Sequence, residues 1–228
     1  MTWGTIAYRG GTPMIHAPFM ESWWRMMDTL RQENYKDVHF MVSHQPYRHT
    51  AIMELVDGFE GDWLLNLDTD HVFEPETVIS LIGEFESKKL DVLSGFYQYR
   101  VPPYDPVAYT WNEKENRYDC LNPCPSRFNT DLVPLDAGGL GCLVIRRHVL
   151  EHLRSYYDCN PFSPLMENGI LWGEDMSFFI RCHKQGIKCW LAPWLEFRHL
   201  TVMPVTRDLI PVKRAAQSPL GRPLKDLE

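Results

Sequence analysis

Two aspartates close an apolar run. In WLLNLDTDHVFEPETV, residues 63–78, Asp68 and Asp70 follow the run Trp63 to Leu67 at spacing i, i+2. Period-2 alternation puts both carboxylates on one side of the chain if extended geometry persists. Such a pair is a poor site for an anion alone and a good one for an anion carried with a divalent cation. Oxygen ligands of this kind suit Mg²⁺ or Mn²⁺. The plainer alternative is that both side chains cap a turn ahead of a helix begun by Pro75. A second acidic pair, Glu174-Asp175, lies in LWGEDMSFFIRCHKQG, residues 171–186. Free N–H groups at a helix start favour a carboxylate, so capping accounts for the pair in full. The catalytic alternative makes one of them a general base that reaches an acceptor hydroxyl. His199, in WLEFRHL, could add an imidazole to a carboxylate metal site, and nitrogen in the shell favours Mn²⁺ over Mg²⁺. Its ordinary alternative is a satisfied core or surface histidine.

Smaller features surround these three. Arg9 and Gly10-Gly11 follow a first strand that ends at Tyr8 and could frame a nucleotide base. Arg48 could pair with a phosphate. Both arginines read equally well as solvated surface charges. Gly138-Gly139-Leu140-Gly141 leads into the apolar run CLVI and opens no helix, so the dinucleotide fingerprint context is missing. Small residues there would let a sugar or another backbone approach closely. Among eight tryptophans, Trp172 beside Glu174 is the best candidate for stacking on a sugar, with core packing as its alternative. Trp23 and Trp24 read as core, and His183 and Lys184 as surface.

The elements that must position these residues alternate as β and α. Strands are expected at 5–8, 38–43, 63–67, 91–96, 142–145 and 187–191. Helical spacing links Phe19, Trp23, Met26, Met27 and Leu30, then Ile52, Leu55 and Val56 ahead of Gly58. Further helices are expected from Pro75, from His148, and over 175–185 with Gly186 as the stop. This is the pattern of a mixed, mostly parallel sheet flanked by helices. The stretch 101–134 breaks the rhythm and predicts a long loop or small hairpin. The tail after Pro204 has little periodicity and predicts an extended arm or lid.

With 228 residues the chain suits one large α/β domain that needs no disulfide or metal to build a core. The formal charge of −7 disfavours generic polyanion binding, which makes nucleic acid an unfavoured partner, although the tail leans basic. The six cysteines read as reduced thiols. Cys120 and Cys124 are close in sequence, but no second pair follows at zinc-site spacing. The first residues, MTWGTIAYRGG, lack the basic and apolar regions of a signal peptide, and no run spans a bilayer. A cytoplasmic protein is expected.

Taken in order, these motifs resemble a GT-A fold glycosyltransferase of the family-2-like kind. The likeness rests on the first strand and its loop, DTD at 68–70, VLSGFY, LDAGGLGCLVIRR, WGEDMSFFIRC and the late histidine, and runs from about Thr5 to His199. It implies one catalytic domain over 1–203, with a nucleotide-binding half (1–100), an acceptor half (101–203), and a tail at 204–228. It implies an enzyme of the hexosyltransferase class that moves sugar from a UDP- or GDP-sugar to a saccharide or other hydroxyl acceptor. Metal ligands would be Asp70, His199 and Asp68, the last also serving the ribose. Tyr8, Arg9, Gly10, Ser43, Arg48, Thr69, Gly139 and Trp172 would line the donor. Asp175, with Glu174 as the lesser choice, matches the base of inverting relatives, and inversion is favoured over retention.

The sequence departs from the pattern twice. VSHQPYRHT replaces the usual acidic segment after the second strand, which leaves the base contact at Ser43 or His44 unsupported. The processive Q-x-x-R-W motif is missing, which argues for single transfer. Two rival functions compete with transfer. A sugar-1-phosphate nucleotidyltransferase would share the fold and the RGGTP start, but Met14-Ile15-His16 stands where a basic residue normally grips the triphosphate. A non-catalytic carbohydrate-binding protein would not need Asp68, Asp70, Asp175 and His199 all intact.

Overall fold

The computed structural model describes residues 3–10, 15–33, 35, 38–122, 124–126, 128, 130–167 and 169–201. The tail and most of the RGGTP segment lie outside the described residues. The chain begins with β1 (Gly4–Arg9), α1 (Ala17–Gln32), β2 (Val38–Ser43), α2 (Arg48–Gly58) and β3 (Trp63–Leu67). A two-residue strand β4 (His71–Val72), α3 (Pro75–Ser87) and β5 (Val92–Phe96) follow. Then come β6 (Ala108–Asn112), β7 (Arg117–Cys120), β8 (Val133–Leu135), β9 (Ala137–Gly138), β10 (Cys142–Arg146) and α4 (Arg147–Tyr157). The last elements are β11 (Leu165–Glu167), β12 (Ile170–Trp172), α5 (Glu174–Lys184), β13 (Cys189–Glu196) and β14 (Arg198–His199).

Seven strands form the main sheet in the order β2-β1-β3-β10-β5-β13-β8. β10 runs antiparallel to both β3 and β5, and β8 antiparallel to β13; the other five strands share one direction. The expected mixed, mostly parallel sheet is therefore present. Strand β3 is buried along its whole length, as a central strand flanked on both faces must be. Alternation along it sends Leu64 into one core, with α2, α4 and α5, and Leu65 into the other, with α1 and α3. Among the described residues, no helix is long and apolar enough to cross a membrane.

Helix α1 begins with Pro18 in its first turn and buries Phe19, Trp23, Met26 and Leu30 along one face. Trp24 points the other way and is 60% exposed, so the expectation that it belongs to the core is corrected. Each residue step along a helix rotates about 100° around the axis, which separates the two tryptophans. Gly58 is the last residue of α2 instead of lying beyond it. Gly186, at φ +67°, ends α5 as expected. The expected last strand starts later and runs further, from Cys189 to Glu196, with a register irregularity between Ala192 and Glu196 that accommodates Pro193. Within 101–134 the hairpin is β6–β7, which joins β9 in a separate three-stranded sheet. The β11–β12 hairpin was not among the expected strands, although the sequence carries the two-residue turn signal Asn168-Gly169 between them.

Candidate functional site

β1 and β3 run parallel and end side by side, Tyr8 opposite Leu67, which brings Arg9 to the turn after β3. That turn is Asp68–Asp70. The Asp68 N–H donates to the Gly141 carbonyl (2.9 Å) and the His71 N–H to the Asp68 carbonyl (3.2 Å). Extended geometry stops at Leu67, so the period-2 argument does not govern the two carboxylates. Asp68 turns to Arg9, which donates to its Oδ1. Asp70 turns instead to Arg100 Nη1 (3.1 Å) and His199 Nε2 (3.4 Å).

His199 arrives on β14, which pairs antiparallel with β4 so that His199 faces His71. The Leu200 N–H donates to the Asp70 carbonyl (2.7 Å) and closes this small ladder. The imidazole Nδ1 is 2.8 Å from the Gln98 carbonyl, which places a proton on Nδ1 and turns Nε2 towards Asp70. A histidine held this way by a backbone carbonyl is oriented as a metal ligand. Asp70 Oδ1 is buried and has no hydrogen-bond partner, and neither ring nitrogen of the fully buried His71 makes a full hydrogen bond. The donor atoms of Asp70, His71 and His199 lie within 4.8 Å of one another. The orphaned Asp70 Oδ1 and His71 ring nitrogens, with His199 Nε2 beside them, fit a divalent cation, and the nitrogen donors suit Mn²⁺ better than Mg²⁺. Asp68 lies outside this group of three.

The electrostatics match the geometry. Burial works to raise the Asp70 carboxyl, but the hydrogen bond and charge of His199 and the charge of Arg100 hold it well below the ordinary range. Burial, then His199, pulls the His71 imidazole down to about 3, so that ring is neutral and available as a donor.

Arg9 ties this end of the sheet to α5. Besides Asp68 it meets Glu174 Oε1 at 3.9 Å, with its own side chain 11% exposed. Neither acid of α5 stands at the cap position, which Gly173 occupies. Asp175 is half-buried; its Oδ1 accepts the Met176 N–H at 2.7 Å. Burial, reinforced by Glu174, pushes its carboxyl up despite that bond and Arg9. A carboxyl raised in this way holds its proton to higher pH than an ordinary aspartate, which is the direction a general base requires.

The remaining expected residues are placed less uniformly. Gly10 adjoins the Ser43 strand end, its N–H donating to the Ser43 carbonyl (2.8 Å). Ser43 is fully buried, and its hydroxyl donates to the Glu54 carboxylate. Tyr8 packs its ring edge-on against Phe19 and Trp23 in the core. Arg48 is exposed and near enough to Arg9 to lower that residue's proton affinity, after burial. Thr69 is half-buried in the turn. Gly139 is buried against Tyr97: a Cβ there would lie 1.9 Å from the Tyr97 hydroxyl. At Gly141 a Cβ would lie 2.3 Å from His71 Cε1. The close approach that these glycines permit is thus made by two aromatic side chains of the site. Trp172 is half-buried, edge-on to Tyr118 at 6.0 Å. Sequence reasoning missed His71, Arg100 and Gln98. His71 sits inside the quoted motif, next to Asp70, so its type and position were the signal.

The sequence profile of glycosyl transferase family 2 matches residues 21–154, more than half of the chain. Among solved structures, the chain is similar to GalNAc-T7 with UDP, GalNAc and Mn²⁺: TM-score 0.59, 12% identity, over 89% of this chain and 44% of that one. It therefore spans less than half the length of that transferase. It is also similar to A197 from STIV, at TM-score 0.49 and 17% identity, over 87% of this chain and 86% of that one. No curated protein matches by sequence. The GalNAc-T7 likeness shows a shared fold, the profile match covers both the Asp68–Asp70 turn and β10, and the chain belongs to glycosyl transferase family 2.

Proposed function

We propose that the chain transfers a sugar from a nucleotide-diphosphate sugar to an acceptor hydroxyl with inversion, in a metal-dependent reaction that uses Asp175 as base. The observation that carries the metal dependence is the aim of His199: its Nδ1–H is held by Gln98, and Nε2 faces an Asp70 carboxylate with an orphaned oxygen. Asp70, His199 and His71 would hold a divalent cation, whose chemistry is to neutralise the diphosphate leaving group. Arg100 beside Asp70, and Arg9 beside Asp68 with Arg48 near it, supply cationic groups at the same end of the sheet and suit the phosphates of a nucleotide donor. UDP and Mn²⁺ in the GalNAc-T7 structure favour a UDP-sugar as the first donor to test.

In the reaction itself Asp175 accepts the proton of the acceptor hydroxyl. The new bond forms between that oxygen and the anomeric carbon. The bond from the anomeric carbon to the diphosphate oxygen breaks, and the nucleoside diphosphate leaves on the opposite face. Glu174 is the less suited base because it faces Arg9.

The test is a panel of UDP-, GDP- and dTDP-sugars scored for thermal stabilisation and nucleoside diphosphate release, with Mn²⁺ or EDTA. One nucleotide class should bind in a Mn²⁺-dependent way. Asp70→Asn should lose at least about a hundredfold in kcat/KM, or roughly 2.7 kcal/mol. Equal turnover in EDTA, or in Asp70→Asn, would sink the metal dependence.

A further inference from the structure

Away from the metal-ligand group, β6, β7 and β12 bring three aromatic side chains to one cavity. It measures about 230 Å³, and its wall includes Trp111, Asn116, Tyr118, Glu167, Trp172 and Lys184. Trp111 and Tyr118 face each other across the β6–β7 ladder, rings 4.9 Å apart and steeply inclined, and Tyr118 meets Trp172 edge-on. All three are only half-buried. That volume falls below the roughly 300–1,000 Å³ of a site for drug-sized ligands and suits a single six-membered sugar ring.

The polar groups narrow the chemistry. Glu167 Oε1 pairs with Lys184 Nζ at 2.7 Å, while Oε2 is buried without a hydrogen-bond partner. A carboxylate oxygen left in that state is costly unless something donates to it, and as an acceptor it calls for a hydroxyl or N–H. The ion pair cancels the local charge, so the pocket does not select for an anion. Apolar ring faces beside a hydroxyl acceptor, an ammonium and the Asn116 amide are what a neutral pyranose needs: its C–H faces pack on aromatic rings and its rim donates and accepts.

The cavity is also linked to the proposed base. Trp172 stands three residues before Asp175, at most about 11 Å along the chain. On β6, Tyr109 lies two residues from Trp111, on the same side of the strand, and is close enough to Asp175 to feel its charge. We infer that this cavity is a distal acceptor subsite. It holds a neutral pyranose one or two sugar units removed from the hydroxyl that is glycosylated, which makes the acceptor an oligosaccharide or glycan chain. This rests on the transferase reading above for its acceptor role, but not for sugar binding itself.

The probes are methyl pyranosides of glucose, galactose, mannose and N-acetylglucosamine, with UDP as control. Binding to the full chain is followed by saturation-transfer NMR and tryptophan fluorescence, in EDTA and without donor. At least one pyranoside should bind in the millimolar range. Trp111→Ala and Tyr118→Ala should each weaken it at least tenfold, Glu167→Gln by a smaller factor. Trp111→Phe should retain most of the affinity, which separates loss of the ring face from loss of the fold. Absence of binding by all four sugars overturns the assignment. So does binding that survives in both alanine variants, binding of UDP at the same rings, or displacement of the sugar by a peptide rich in aromatic residues. Mn²⁺-dependent UDP binding to the same wild-type samples tests the transferase reading separately. Pyranoside binding without it would uphold the sugar pocket and overturn its acceptor role.

Discussion

For Asp175 as the proposed base, the chemistry and the stability of the site pull in opposite directions. Burial, with Glu174 beside it, raises its carboxyl above the ordinary value in the folded chain. A base works ionised, so transfer should fall as pH drops through the raised value, and the acid limb of kcat should lie above the usual carboxylate range. The linkage has the opposite sign. The folded state binds this proton more tightly than the unfolded state does, so the associated stability is present at low pH and is lost as pH rises through the folded value. Asp175→Asn should therefore lose about 10²–10⁴-fold in transfer while binding donor, with Tm at neutral pH equal or higher. A drop in Tm would restore the helix-start role, and full transfer would remove the base. Arg9 is the complementary residue. Its bonds to Asp68 and Glu174 were not legible in a sequence where its neighbours lie 59 and 165 positions away, although its place after the first strand marked it as a candidate.

At the scale of elements, the glycine-rich segment between β9 and β10 sets how closely the site can pack. Gly139 and Gly141 make room for the Tyr97 hydroxyl and the His71 ring, and the Gly141 N–H donates to that hydroxyl at 3.2 Å. Gly139→Ala must displace Tyr97, and forced repacking of this kind costs about 1–3 kcal/mol. In a chain of this length that lowers Tm by roughly 2–12 °C. Mn²⁺ affinity should fall too, because Tyr97 packs against both His71 and His199. The double variant Gly139→Ala/Tyr97→Phe removes the colliding oxygen and should recover part of the Tm. An unchanged Tm in the single variant would show that the backbone yields instead. The long elements were legible because apolar runs and helical spacing extend over five residues or more, as in β3 and α1. β4 and β14 were not, because two residues carry no periodicity and their pairing joins segments over a hundred positions apart. That pairing is what sets His71 opposite His199. Asp70 and His199 were expected together from the family resemblance, and the structure brings them together; His71, which completes the group, was not expected.

The whole molecule is built so that the two expected halves share one sheet. β10, from the second half, lies between β3 and β5 of the first, and β13 and β8 extend the sheet beyond β5. Neither half can close its core alone: Leu143 packs with Leu64 on one face, Val144 with Leu65 on the other. Leu64 and Leu65 are therefore a test of cooperativity built into adjacent positions. Each is fully buried, and each belongs to a different core. Leu64→Ala and Leu65→Ala should each cost about 2–5 kcal/mol. If the sheet unites the two cores, each variant should still unfold in a single transition, with far-UV and near-UV circular dichroism coinciding. UDP with Mn²⁺ at about a hundred times its dissociation constant should then stabilise the entire chain by about 2.7 kcal/mol, because a ligand of the native state acts on whatever unfolds together. Two resolved transitions, with only one moved by nucleotide and metal, would show instead that the two cores unfold as separate units.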